Sequence, residues 1–137
     1  GIDVIVRQSP DFPSWANRVS NWEFEATMDS VYNWGDPVIG VHRTYLTSNI
    51  RKGVIWSNTQ QYSNQKVDEI LDKASKEQDL DKRKALYEKF QQIVVDDVPL
   101  AYINGSPFYV AYDKKLRNVN KTIWGTMSPM HEVYWEN

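Results

Sequence analysis

Residues 56–113 read WSNTQQYSNQKVDEILDKASKEQDLDKRKALYEKFQQIVVDDVPLAYINGSPFYVAYD. This stretch decides the fold, because a polar loop, two amphipathic helical segments and an extended segment opened by a proline follow one another in it. It contains no catalytic constellation. We therefore look for the function of the chain in binding.

The helical signal is clearest from Asn64 onward. Apolar residues recur at i, i+3, i+4 and i+7 in the first segment, at Val67, Ile70, Leu71 and Ala74. The second segment has an Asp79 or Asp81 cap and an apolar stripe of Leu86, Phe90, Ile93 and Val94. It should end at Asp97-Val98-Pro99, because the residue before a proline disfavours the α region. A short connection between the segments predicts an antiparallel helix pair at about 64–98.

The remaining elements are predicted to be mostly extended. Alternating or apolar runs predict strands at 1–8, Phe24–Tyr32, Leu100–Ile103, Phe108–Tyr112 and Glu132–Trp135. Short helices are expected at Ser14–Val19 and Val38–Leu46. The expected fold is one mixed α/β domain over residues 1–137, with a mixed sheet flanked by helices.

Composition limits the classes of function. The chain has 137 residues, a net charge of −2 and no cysteine, so neither nucleic-acid binding nor a disulfide framework is expected. No apolar run reaches the about 20 residues that span a bilayer, so we do not expect a membrane-embedded protein. A strand pattern that starts at residue 1 suggests a portion of a longer chain.

Aromatic residues concentrate outside the helical pair. Of the 18 Phe, Trp and Tyr residues, only Tyr87 and Phe90 fall within it. Rings in strands and loops fill β cores or form recognition surfaces, and both interpretations stay open for the set as a whole. Trp34 and Trp56 flank polar or turn-forming residues, which favours contact with a ligand or a partner lobe.

Catalytic and metal sites have little support. His42 and His131 lie far apart in the sequence, without a HExxH motif or neighbouring paired carboxylates, so we expect no metal. The GxSxG, GxGxxG and P-loop motifs are also absent, and we expect neither a cofactor nor enzymatic activity.

Six features in order carry a family resemblance. They are the GIDV segment, a helix containing Trp15, a segment ending in WGDP, the helix start from Tyr62 to Asp68, the DxxKRKALYEKFQQIVVDDVPLAYI segment and a closing strand. In this combination the chain resembles the C-terminal part of family 5 extracytoplasmic solute-binding proteins, the peptide-binding components of ABC importers.

The resemblance implies an architecture and partners. The chain would supply much of the second lobe of a bilobal receptor with the type II periplasmic-binding-protein fold, which clamps a small solute between its lobes. Its partners would be that solute, a peptide or a peptide-like molecule, and the membrane permease. The location would be periplasmic, or extracytoplasmic and lipid-anchored.

The resemblance also implies a set of ligand-binding residues near the WGDP segment. They are Asp29, Tyr32, Asn33, Trp34, Asp36, Trp56 and Asn58. Peptide-binding members commonly place an aspartate four positions before the proline, where this chain has Asn33. An amide can bond an ammonium group but cannot neutralise it. Either Asp29 takes over the amine, or the ligand is not a conventional peptide, and an oligosaccharide or opine-like solute is the alternative.

Two other classes of function stay open. A carbohydrate-active enzyme could use dispersed carboxylates such as Asp29 and Asp36, about 5 to 9.5 Å apart. A standalone binding module would bind its ligand at full affinity with these residues alone, whereas one lobe of a two-lobed receptor would not.

Overall fold

The computed structural model describes all 137 residues and shows a mixed α/β domain. Four α-helices span Phe12–Ser20 (α1), Val41–Tyr45 (α2), Gln65–Lys76 (α3) and Leu80–Asp97 (α4). Short 3-10 turns occupy Thr47–Asn49 and Gly125–Met127. Two strands, Leu116–Arg117 (β1) and Tyr134–Trp135 (β2), complete the regular structure.

Helices α3 and α4 form the predicted antiparallel pair. The Asn64 side chain caps α3 by accepting from the N–H groups of Lys66 and Val67, and Asp79 caps α4 in the same way. Asn64 at the start of α3 donates to Asp97 at the end of α4, at 2.8 Å. At the opposite end of the pair, Arg83 Nε donates to the Ala74 carbonyl at 3.2 Å. These two contacts fix the antiparallel arrangement.

The core lies on one face of this pair. Its buried residues are Tyr45, Val67, Ile70, Leu71, Phe90 and Val94. Tyr45 comes from α2, and its ring meets Phe90 edge-on with centroids 5.1 Å apart. Helix α2 is therefore held against the pair by aromatic packing. It lies within the helix expected at 38–46, and α1 covers the one expected at 14–19.

Four of the predicted strands are wrong. Residues 1–8, Phe24–Tyr32, Leu100–Ile103 and Phe108–Tyr112 are irregular. No backbone-to-backbone hydrogen bond involves residues 1–10, 24–35 or 99–112. β propensity describes side chains that suit a pleated surface, and a strand exists only when a neighbour supplies the ladder. Apolar side chains in these segments are correspondingly exposed, Ile2 by 91% and Tyr109 by 90%.

The sheet is smaller than predicted. It has two antiparallel strands, with Leu116 opposite Trp135 and Arg117 opposite Tyr134. The closing strand was expected at 132–135 and is confirmed in a shorter form, whereas β1 was not predicted. The expected mixed sheet flanked by helices is thus replaced by a single two-stranded ribbon beside a helical core.

None of the helices combines the length with the hydropathy that a bilayer crossing requires.

Candidate functional site: an aromatic platform beside an exposed carboxylate

Four aromatic rings from three separate segments lie in series, with two stacked contacts and one tilted contact. Tyr32 and Trp34 lie with centroids 5.5 Å apart and planes 14° from parallel. Phe108 continues the series beyond Tyr32 at 5.1 Å, and Trp124 continues it beyond Trp34 at 5.4 Å. We call Tyr32, Trp34, Phe108 and Trp124 the aromatic platform. Offset stacking at such distances contributes about 0.5–1.5 kcal/mol per pair beyond burial.

The platform remains open to solvent. Phe108 is 73% exposed, Tyr32 is 44% exposed and Trp124 is 38% exposed, whereas Trp34 is partly covered between its neighbours. A ring that only filled a core would be buried. The platform therefore offers the outer rings, Phe108 and Trp124, and the edges of the two inner rings to a molecule from outside the chain.

The loop that carries Tyr32 and Trp34 closes tightly upon itself. A Cβ atom at Gly40 would lie 2.9 Å from the Asn33 Cα, 2.9 Å from the Tyr32 carbonyl oxygen and 3.0 Å from the Trp34 nitrogen. Only glycine allows this approach of one backbone segment to another. The loop from 32 to 40 is therefore a fixed feature that presents the two rings.

A carboxylate lies three residues before the platform. The Trp56 indole N–H donates to Asp29 Oδ1 at 3.1 Å, and the Ser30 N–H donates to the same oxygen at 2.6 Å. Because consecutive Cα atoms lie about 3.8 Å apart, Asp29 and Tyr32 are within about 11 Å of each other. Asp29 is an exposed residue, and its second oxygen makes no hydrogen bond within the protein.

Desolvation by the surrounding groups raises the pKa of Asp29 above its ordinary value of 3.8, and the hydrogen bonds from Trp56 and Ser30 oppose that rise. Ionisation of the Asp29 carboxylate is therefore less favourable than ionisation of a carboxylate in free solution. A cationic partner would relieve this cost, because an opposite charge favours the ionised form.

Trp56 is itself held by α1. Its ring lies 5.9 Å from Phe12, which lies 5.6 Å from Trp15. The Trp56 backbone is left-handed, with φ of 58°, a conformation that costs an aromatic residue energy. The Asp29–Trp56 contact therefore joins the loop before the platform to the first helix.

Asn33 is exposed, and its side chain makes no hydrogen bond within the protein. It lies between the two stacked residues Tyr32 and Trp34. Among the predicted site residues, the structure thus brings together Asp29, Tyr32, Asn33, Trp34 and Trp56 along one loop and its neighbour.

Asp36 does not belong to this accessible group. Both of its carboxylate oxygens accept from Arg83 Nη2, at 2.7 and 3.0 Å, and Oδ1 also accepts from the Val38 N–H. The hydrogen bond from Arg83 is the main cause that lowers the pKa of Asp36. The carboxylate is already paired with Arg83 and supports the loop, and ligand contact at Asp36 stays a prediction.

The hydrogen-bonding groups of the Asn58 side chain are also used within the fold. It is 1% exposed, and its Nδ2 donates to the carbonyls of Leu46 and Tyr62 at 2.9 and 2.8 Å. Its Oδ1 accepts from the Tyr62 N–H at 2.9 Å. An amide has two donor hydrogens, and both are used here. The Asn58 side chain therefore has a structural role, and ligand contact at Asn58 stays a prediction.

Phe108 and Trp124 were not among the predicted site residues. Phe108 was placed in a predicted strand at Phe108–Tyr112, and no element was predicted around Trp124. The only sequence signal was the general enrichment of aromatic residues outside the helical pair, which does not say which rings meet.

No group of three or more histidine, cysteine, aspartate or glutamate side chains is arranged to hold a metal ion. The donors near the platform are one carboxylate, one amide and one indole N–H, a set suited to hydrogen bonding of an organic molecule.

Comparison of the chain with protein-family models, with curated proteins and with solved structures found no match.

Proposed function

We propose that the chain is one lobe of an extracytoplasmic solute receptor that binds a peptide or peptide-like solute and delivers it to the permease of an ABC importer. The observation that carries the proposal is the solvent-open aromatic platform with Asp29 and Asn33 beside it. Apolar and aromatic side chains with a few convergent polar groups are the usual lining of a small-molecule cleft, and the second lobe would close that cleft over the platform.

The chemistry of each group suits a peptide. The accessible oxygen of Asp29 would accept from an ammonium group, and Asn33 would bond a backbone amide. The outer faces of Phe108 and Trp124, with the edges of the two inner rings, would pack against the side chains of the solute. Binding, closure against a second lobe and release are sufficient for transport, and no covalent step is required.

An oligosaccharide is the second candidate solute, and the exposed rings of Phe108 and Trp124 at the two ends of the platform favour it. Tryptophan and tyrosine faces pack on the apolar faces of sugar rings, while carboxylate and amide groups bond the hydroxyls. Neutral sugars would not need the charge of Asp29, which distinguishes the two candidates.

Calorimetric titration tests the proposal. Trialanine and cellotriose would each be titrated into this chain and into the complete two-lobed receptor. We expect saturable but weaker binding by this chain, because the gain from closing the second lobe is missing. Equal affinity in the two proteins would identify a standalone module. Absence of binding of any peptide or oligosaccharide to either protein would overturn the proposal.

Asp29→Asn then identifies the solute class. Loss of a charge-assisted hydrogen bond should weaken trialanine binding by about 1.5–3 kcal/mol and leave cellotriose nearly unaffected. Glu25→Gln is the matched control, because it removes an exposed carboxylate from the same segment.

A further inference from the structure

Arg83 on α4 contacts the loop from 32 to 40 through its guanidinium group. Its Nη2 donates to both carboxylate oxygens of Asp36, and its Nε donates to the Ala74 carbonyl on α3. The guanidinium carbon also lies 5.5 Å from the centre of the Tyr87 ring. One side chain therefore joins the loop to both long helices.

The Arg83 guanidinium group is also connected to α2, through Tyr87. The Tyr87 hydroxyl is 2.9 Å from His42 Nε2, and His42 is buried at the start of α2. The His42 N–H in turn donates to the Pro37 carbonyl, directly after Asp36. Arg83 therefore has little freedom to move, and a group bonded to it is held in place.

Asp36 connects Arg83 to the part of the loop that carries the Tyr32 and Trp34 rings. It follows Trp34 by two residues, and its side chain bonds the Val38 N–H at 2.9 Å. Gly40 then lies against the backbone of residues 32–34. A change in the position of Asp36 must therefore change the positions of Tyr32 and Trp34.

We infer that Arg83 is a positioning residue, which sets the geometry of the aromatic platform by fixing Asp36. The consequence for ligand binding rests on the proposed function, whereas the geometric claim does not. Arg83 and Asp36 side chains are 22% and 42% exposed. An ion pair of that exposure contributes little to global stability. Its removal should therefore leave the helices folded, and the change in structure should be found in the loop from 32 to 40.

Circular dichroism tests the geometry without any ligand. The Trp34 and Trp124 rings lie with centroids 5.4 Å apart and planes tilted by 32°, close enough for their indole transitions to couple, which gives a paired positive and negative band. The band is assigned by its loss in Trp124→Phe. We expect Arg83→Gln and Asp36→Asn each to abolish most of it and to leave the helical signal intact. The double variant should be no worse than either single variant, because both remove the same contact.

Two controls separate positioning from other effects. Lys84→Gln removes a positive charge from the next residue of α4, and it should leave the band unchanged. Gly40→Ala displaces the loop by another route and should reduce the band. If Arg83→Gln destabilises α4, Asp36→Asn still decides the question from the loop side. A wild-type band in Asp36→Asn with normal helical signal would overturn the inference.

Binding supplies the second measurement. Because residues outside a site modulate binding by about 0.5–2 kcal/mol, Asp36→Asn should weaken trialanine or cellotriose binding by about 2- to 30-fold. If neither probe binds but the band is lost, the positioning role stands and the proposed function fails. If a probe binds Asp36→Asn as it binds wild type and the band is unchanged, the positioning role fails.

Discussion

The side chain of Asn58 and the backbone of Tyr62 form a closed pair of hydrogen bonds. The Tyr62 N–H donates to Asn58 Oδ1 at 2.9 Å, and Asn58 Nδ2 donates to the Tyr62 carbonyl at 2.8 Å. The amide thereby satisfies the backbone of the polar loop that leads into α3. A sequence feature that suggested ligand binding thus supports the entry to the helical pair.

Replacement of Asn58 should therefore reduce stability. Asn58→Ala leaves buried backbone groups without partners, and we expect a loss of about 1–3 kcal/mol in the free energy of unfolding, measured in urea. Asn33→Ala, at an exposed amide without partners, is the control and should change stability by less than about 0.5 kcal/mol. Unchanged stability of Asn58→Ala would show that the amide is not needed by the fold.

Trp34 should matter for binding. Trp34→Ala removes one of the two inner rings of the platform. We expect it to weaken solute binding by about 1–3 kcal/mol, measured by calorimetry with trialanine and cellotriose. Trp135→Ala removes an exposed indole from β2 and should leave binding unchanged. Trp135→Ala should change stability little, whereas Trp34→Ala should also lower the free energy of unfolding by the contribution of its two ring contacts, about 0.5–1.5 kcal/mol each. A large stability loss with unaltered affinity would make Trp34 a core residue.

Phe90 should matter for stability alone. It is 5% exposed and packs against Tyr45, so Phe90→Ala should cost about 3–5 kcal/mol through the cavity it leaves. Val95→Ala, at a side chain exposed by 66% on the same helix, is the matched control. Equal denaturation midpoints for the two variants would contradict the observed core.

His42 should make stability depend on pH. Burial lowers the pKa of His42 below 6.5, Asp36 opposes the shift, and Arg83 adds to it. Below pH 6.5 the unfolded chain takes up this proton before the folded chain does. The free energy of unfolding should therefore fall as the pH is lowered from about 7 to about 5. The Tyr87 hydroxyl is hydrogen-bonded to the His42 imidazole. It stays neutral in this range, because desolvation raises the pKa of Tyr87 further above its ordinary value of 10.0.

The pH effect is assigned by substitution. His42→Gln should flatten the slope over this interval, whereas His131→Gln, at an exposed histidine, should leave it in place. A slope that persists unchanged in His42→Gln would show that another group causes it.

The helical half of the fold was predictable because its signals are local. Apolar spacing, the Asn64 and Asp79 caps and the proline after Val98 all act within a few residues, and α3 and α4 formed as expected. Strands depend on partners elsewhere, so the alternation at 1–8 and the aromatic run at 108–112 predicted elements that have no ladder.

The candidate site was predictable only in part. Tyr32, Asn33 and Trp34 were predicted because the resemblance places ligand-binding residues near the WGDP segment, and Asp29 shortly precedes them. The rings of Phe108 and Trp124 reach them through tertiary contacts between distant segments. Nor could the sequence say that Asp36 would be paired with Arg83, because the partners lie 47 residues apart.

Nuclear magnetic resonance of the indole N–H groups tests the binding surface most directly. Each of the six tryptophans gives one such signal, and Trp34→Phe and Trp124→Phe assign the two of interest. During titration with trialanine or cellotriose, we expect the Trp34 and Trp124 signals to shift saturably while Trp135 stays in place. Shifts confined to Trp135 or Trp22, or no saturable shift with either solute, would contradict the platform as the binding surface.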